Sequence, residues 1–259
     1  MTAATGAEVT GSDDSTKATA GKVALIIGAG DALGGAIAKR FAREGYIVCV
    51  TRRAQASLLK LKQQIESAGG TCHAFGCDAR EEDQTQALFA QIESQIGAIH
   101  VCVFNIGGNV RFSVTETTAR VYRKIWEMCA FAGFLAGREA AKVMQTRKQG
   151  TILFTGATAS LRGGVGFAAF AGGKHALRAL SQSMARELGP IGIHVAHVVI
   201  DGAIDTAFIQ QNFPERYATK DQDGILNPDH IADTYWMLHQ QPRDAWTYEL
   251  DLRPWNEKW

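Results

Sequence analysis

From Lys22 onward, short apolar runs alternate with stretches whose apolar residues recur at helical spacing. Val23–Ile27 is apolar throughout and ends at a glycine, which predicts a buried strand. Over 34–44, Ile37, Phe41 and Ala42 point inward and Lys39, Arg40 and Arg43 outward, and Gly45 stops the pattern; this predicts an amphipathic helix. The alternation then repeats along the chain. Strands are predicted over 46–50, 71–76, 101–104, 151–155, 194–200 and 246–252. Helices are predicted over 54–68, 81–96, 118–146 and 168–188, and another opens at 227, where Pro228 suits its first turn. Strand–helix alternation of this kind predicts an α/β fold: a doubly wound parallel sheet with helices on both faces and right-handed crossovers. No linker interrupts 21–259, which reads as one domain, while 207–224 lacks a strong period.

Composition narrows the picture. The chain has 259 residues and is 46% hydrophobic, enough for one large core. A net charge of +1 implies neither a nucleic-acid partner nor an acidic membrane partner. No apolar run reaches the roughly 20 residues of a membrane span. Residues 1–20 are rich in Thr, Ala, Ser and Asp without an apolar core, which predicts a disordered leader rather than a signal peptide. The five cysteines (Cys49, Cys72, Cys77, Cys102, Cys129) are odd in number and lack CxxC spacing. They predict neither a metal site nor a disulfide framework, and they fit reduced thiols of the cytoplasm.

The first chemical signal follows the first strand, in Gly28-Ala-Gly30-Asp31-Ala32-Leu33-Gly34-Gly35, with a helix behind it. Glycines at a strand-to-helix turn let the backbone approach a pyrophosphate, and the helix N-terminus offers free N–H groups and a positive dipole end. A tight turn packing helix on strand would use the same glycines. At the end of the second strand stand Arg52 and Arg53, where a dinucleotide fold that binds NAD carries an acid. A guanidinium matches a 2′-phosphate, so this pair points to NADP(H), with a solvated basic loop as the plainer reading. Asp78 opens the next helical stretch and, with Glu81, fits a capping box.

Gly28 and Gly34 resemble the outer glycines of the TGxxxGxG fingerprint of the short-chain dehydrogenase/reductase family, with Ile27 at the threonine and Ala32 at the middle glycine. The resemblance covers 22–252 and implies a Rossmann-like, single-domain fold. It implies a coenzyme site including Gly28, Gly30, Asp31, Leu33, Gly34, Arg52, Arg53, Asp78, Ala79, Asn105, Gly107, Lys174, Ile204 and Thr206. It also implies a substrate lid at about 207–224 and a homodimer or homotetramer packed through 118–146 and 168–188. Leu177, Leu180, Met184 and Leu188 suit such a face or the core of one subunit. The tail Arg253-Pro-Trp255-Asn-Glu-Lys-Trp259 suggests tryptophans buried against another subunit.

The family's catalytic tyrosine, serine and asparagine fall on Phe170, Ala157 and Cys129, and its lysine on Lys174. Phe170 and Lys174 stand four apart and share a helical face. Without the ring hydroxyl, the general acid, typically worth about 10²–10⁴ in rate, is absent. Asp201 is the leading substitute, with Thr158 and Thr155 as hydroxyls placed to polarise a carbonyl; His197, Cys129 and Tyr217 are weaker candidates. The expected function is an NADP(H)-dependent oxidoreductase with non-standard catalytic residues, acting on a small carbonyl, alcohol or activated alkene. The alternative is a coenzyme-binding pseudoenzyme, which a pocket plugged by Phe170, Phe131 and Phe154 would favour.

Overall fold

The protein is described by a computed structural model over residues 21–258. The expected leader 1–20 and Trp259 lie outside the described residues. Seven strands form one parallel sheet in the order β3-β2-β1-β4-β5-β6-β7. They are β1 (Val23–Ile27), β2 (Ile47–Arg52), β3 (Thr71–Gly76), β4 (Ile99–Phe104), β5 (Gly150–Thr155), β6 (Ile193–Ile200) and β7 (Glu249–Leu252). The order reverses between β1 and β4, the switch point of a doubly wound, Rossmann-like fold, and ligands of such sheets bind beyond the strand ends there.

Alternate residues of β1 supply two cores. Ala24 and Ile26 face one layer, built from α1 (Leu33–Arg43), α2 (Leu59–Ser67) and α9 (Pro228–Gln240). Val23, Leu25 and Ile27 face the other, built from α3 (Glu82–Gln95), α5 (Ala132–Gln145) and α6 (Ala168–Leu188). A strand covered on both faces has no polar side to present, which is why β1 reads as an unbroken apolar run. Leu177 and Leu188 belong to this second core. They are fixed within the subunit, as the core alternative for these positions expects. Tyr122, Trp126 and Phe134 are the exposed apolar side chains of α4 (Ala119–Trp126) and α5.

Two predicted helices are less regular than their sequence patterns. The stretch 54–68 begins as a 3₁₀ turn, Gln55–Leu58, before α2. The stretch 118–146 is α4 and α5 joined by a π-helical segment, Glu127–Phe131. The short helices α7 (Ala207–Asn212) and α8 (Pro214–Tyr217) occupy the aperiodic segment after β6. Among the described residues, no helix is long and apolar enough to cross a membrane.

The tail turns back on its own subunit. Pro254 is buried against Gly202, and the Trp255 indole donates to the Gln222 carbonyl while its ring stays 80% exposed. Trp255 is therefore not buried by its own subunit, and the expectation set its burial against another.

Candidate active site

The C-terminal ends of β1 to β6 open into one cleft of about 930 Å³. One end of it is built around the turn after β1. Gly28 has φ +89, and a Cβ there would lie 2.9 Å from the Ile106 side chain. A Cβ on Gly34 would lie 2.6 Å from the Gly28 carbonyl oxygen, so only glycine lets α1 start this close to the turn. Asn105 fastens the turn to β4: its backbone N–H donates to Ile27 (2.8 Å) and its Nδ2 to the Gly28 carbonyl (3.1 Å). Ala32, at the N-cap of α1, provides no side-chain cap. The Gly35 N–H already donates to the Ala32 carbonyl (3.0 Å), so the Leu33 and Gly34 N–H groups are the ones left available to an anion in the cleft.

Arg52 lies against this turn, since a Cβ on Gly30 would be 3.4 Å from its guanidinium carbon. Arg52 and Arg53 both line the cleft. Asp78 also lines it, but its carboxylate accepts from Arg80 Nε (2.9 Å) and Nη2 (2.5 Å). Arg80 thereby holds the Asp78 carboxyl below the usual carboxylate range. The capping-box expectation fails: α3 is preceded by Glu81, without a side-chain cap, because Asp78 is already committed to Arg80. Ala79, Gly107, Ile204 and Thr206 complete this wall, and Thr206 also caps α7 by accepting from Ile209 N–H (3.2 Å).

At the other end Lys174 is 3% exposed, and its Nζ donates to the carbonyls of Thr155 (2.8 Å) and Ile106 (3.1 Å). Burial lowers its pKa from the ordinary lysine value, with the Cys129 thiol acting in the opposite sense. The ammonium also stands 5.9 Å from the centre of the Phe170 ring, a cation–π distance. Lys174 and Phe170 thus share the cleft floor beside Gly107.

The other candidates separate. Ala157 and Thr158 line the cleft. Cys129 does not: it is fully buried in the π segment, packed against Gly173, where a Cβ would come within 2.9 Å. The Thr155 hydroxyl bonds the buried Tyr235 hydroxyl instead of facing the cleft (2.7 Å). His197 is packed inside the subunit, its Nδ1 2.9 Å from Glu249, which Arg178 holds through two bonds. Burial lowers its pKa to about 4, against the opposing pull of Glu249. Tyr217 lies outside the cleft, with Lys220 over its ring.

One constellation joins two candidates. The Thr158 hydroxyl donates to Asp201 Oδ1 at 2.6 Å, and Asp201 lies beneath the cleft wall, 1% exposed. Arg162 approaches the same oxygen at 3.4 Å, and Arg253 approaches Oδ2 at 3.9 Å. Because the Thr158 proton points to Asp201, its oxygen is left as an acceptor toward the cleft. That suits a substrate hydroxyl better than the carbonyl expected for this threonine.

Several lining residues carried no sequence signal, among them Met128, Arg162, Phe167, Arg216 and Glu257. Arg216 and Glu257 pair across the cleft mouth at 2.7 Å, joining α8 to the tail. Phe208, Ile209 and Phe213 extend the apolar wall. The proposed aromatic plug is absent: Phe131 stacks with Trp126 and Phe134, Phe154 is buried against Phe104, and Phe170 alone of the three lines the cleft.

Comparison with known proteins agrees with this geometry. A family model described as short chain dehydrogenase matches residues 22–217. A short-chain dehydrogenase/reductase of Armillaria gallica is 32% identical over 185 residues, 70% of each chain. The crystal structure of a short-chain dehydrogenase from Rhodopseudomonas palustris is 46% identical, covering 91% of this chain and 99% of its own, with a TM-score of 0.78. A metagenomic short-chain oxidoreductase crystallised with NADP is 25% identical over 91% of this chain and 98% of its own, with a TM-score of 0.77. The chain belongs to the short chain dehydrogenase family.

Proposed function

We propose that the protein is an NADP(H)-dependent oxidoreductase acting on a small carbonyl, alcohol or activated alkene, with a relocated proton-transfer group. The observation that carries this reading is that one cleft holds the glycine turn, Arg52 and the buried Lys174 together. The nicotinamide coenzyme would supply the hydride acceptor or donor. Gly28, Gly34 and the first turn of α1 would hold its pyrophosphate, Arg52 and Arg53 its 2′-phosphate, and Lys174 its ribose hydroxyls. The metagenomic relative's complex with NADP supports the coenzyme class.

Phe170 cannot move a proton. In alcohol oxidation the substrate hydroxyl gives its proton to Thr158 Oγ1 while the Thr158 proton passes to Asp201 Oδ1; reduction runs the same transfer backward. Asp201 is thus the acid–base group and Thr158 its link to the cleft. The segment 207–224 is the substrate lid. An open cleft beside Phe170 favours turnover over the pseudoenzyme reading. We place the protein in the cytoplasm as a homodimer or homotetramer.

The coenzyme assignment is tested by fluorescence titration with NADPH and NADH. Removing charge-assisted bonds of about 1.5–3 kcal/mol, Arg52→Ala should weaken NADPH binding by about 10- to 100-fold and leave NADH binding nearly unchanged. Equal affinities for the two coenzymes in the native chain, or an unaltered ratio in Arg52→Ala, would remove the NADP assignment.

A further inference from the structure

We infer that the substrate carries a carboxylate next to an aromatic or bulky apolar body, and that Arg162 receives this carboxylate; the inference rests on the proposed oxidoreductase reading. Six cationic side chains line the cleft: Arg52, Arg53, Arg80, Arg162, Lys174 and Arg216. Arg80 is bound by Asp78 and Arg216 by Glu257. Lys174 is buried and directed at two backbone carbonyls. Arg52 and Arg53 flank the glycine turn.

Arg162 differs from all of these. It follows β5, and its side chain is 42% exposed at the cleft wall. The one polar contact of its side chain among the described residues is 3.4 Å to Asp201, already the acceptor of the shorter bond from Thr158. A guanidinium carries five N–H donors in a planar fork, so most of its donor capacity faces the cleft unused.

Position separates this cation from the coenzyme's phosphates. Arg52 ends β2, and the sheet order β2-β1-β4-β5 puts three inter-strand spacings between β2 and β5. At about 4.8 Å each, the two strand ends are roughly 14 Å apart. A 2′-phosphate held at Arg52 leaves Arg162 free for a different anion. The same cleft defines the rest of the ligand: Phe167, Phe170, Phe208 and Phe213 supply aromatic surface to its lining, with Met128 and Ile209. An apolar body with a single carboxylate fits both features, and the fork of Arg162 matches a carboxylate bidentately.

The test uses aryl keto acids, such as 4-acetylbenzoate and benzoylformate, each paired with its methyl ester. Binding to the full chain is measured by calorimetry with and without NADP+, in the native protein and in Arg162→Gln. The acids should bind the native chain about tenfold or more tighter than their esters. Arg162→Gln should abolish this preference and leave NADPH affinity unchanged. Equal binding of acid and ester, or a preference that survives in Arg162→Gln, would overturn the anion site while leaving the coenzyme reading standing. Failure of NADPH to bind the native chain would sink the coenzyme reading instead; the acid preference measured without coenzyme would then decide the anion site alone.

Discussion

Asp201→Asn is expected to lower turnover by about 10²–10⁴, the usual worth of a general acid or base. The substitution keeps the side chain's size and leaves an amide oxygen to accept the Thr158 hydroxyl, but the amide cannot take up its proton. Arg253 retains its pairing with Asp251, and Arg162 is partly exposed and only 3.4 Å from Asp201, so the fold should survive. The measurement is coenzyme-linked turnover over a panel of aryl ketones, enones and alcohols, with NADPH affinity and urea unfolding as controls. Full activity in Asp201→Asn, with affinity and stability unchanged, would remove the relay through Thr158. A drop in stability equal to the drop in activity would assign Asp201 a structural role.

Phe170→Tyr combined with Ala157→Ser is expected to restore what Asp201→Asn removes. The Phe170 ring already sits over the cleft floor, 5.9 Å from the Lys174 ammonium. A hydroxyl on that ring would stand near a fixed positive charge, which favours the ionised phenolate and lowers its pKa. A serine hydroxyl at Ala157 would line the same cleft and donate to a substrate oxygen. In the Asp201→Asn background, the double substitution should raise NADPH-linked ketone reduction at pH 7 by about 10²–10⁴. No gain would mean that the ring position does not reach the reacting oxygen. A gain in the double variant of a native chain that itself turns over nothing would make the native protein a coenzyme binder.

Most of the fold was legible because its central strands are buried on both faces. Val23–Ile27 must be apolar at every position, and that run, with Gly28 after it, is visible without any tertiary information. The glycine turn was legible for the same reason: the Cβ clashes at Gly28 and Gly34 are local constraints that leave a local signature. The π segment was not. It places Cys129 against Gly173, a contact between residues 44 positions apart, and Glu127–Phe131 has no composition of its own that a regular helix would lack.

The proposed proton path was legible only in part. Asp201 and Thr158 were each suspect by position, but their hydrogen bond spans 43 residues and fixes which way the hydroxyl proton points. On the proposed path, that direction leaves the Thr158 oxygen as the acceptor in alcohol oxidation. Glu257 gave no signal, because its role at the cleft mouth comes from the tail folding over α8 to reach Arg216.

The most direct test of the account is a crystal structure of the protein soaked with NADP+. The account predicts the pyrophosphate over the turn at Gly28–Gly34, the 2′-phosphate on Arg52, and the nicotinamide ribose on Lys174. Coenzyme bound elsewhere, or a cleft at Gly28 that stays empty at saturating NADP+, would contradict it.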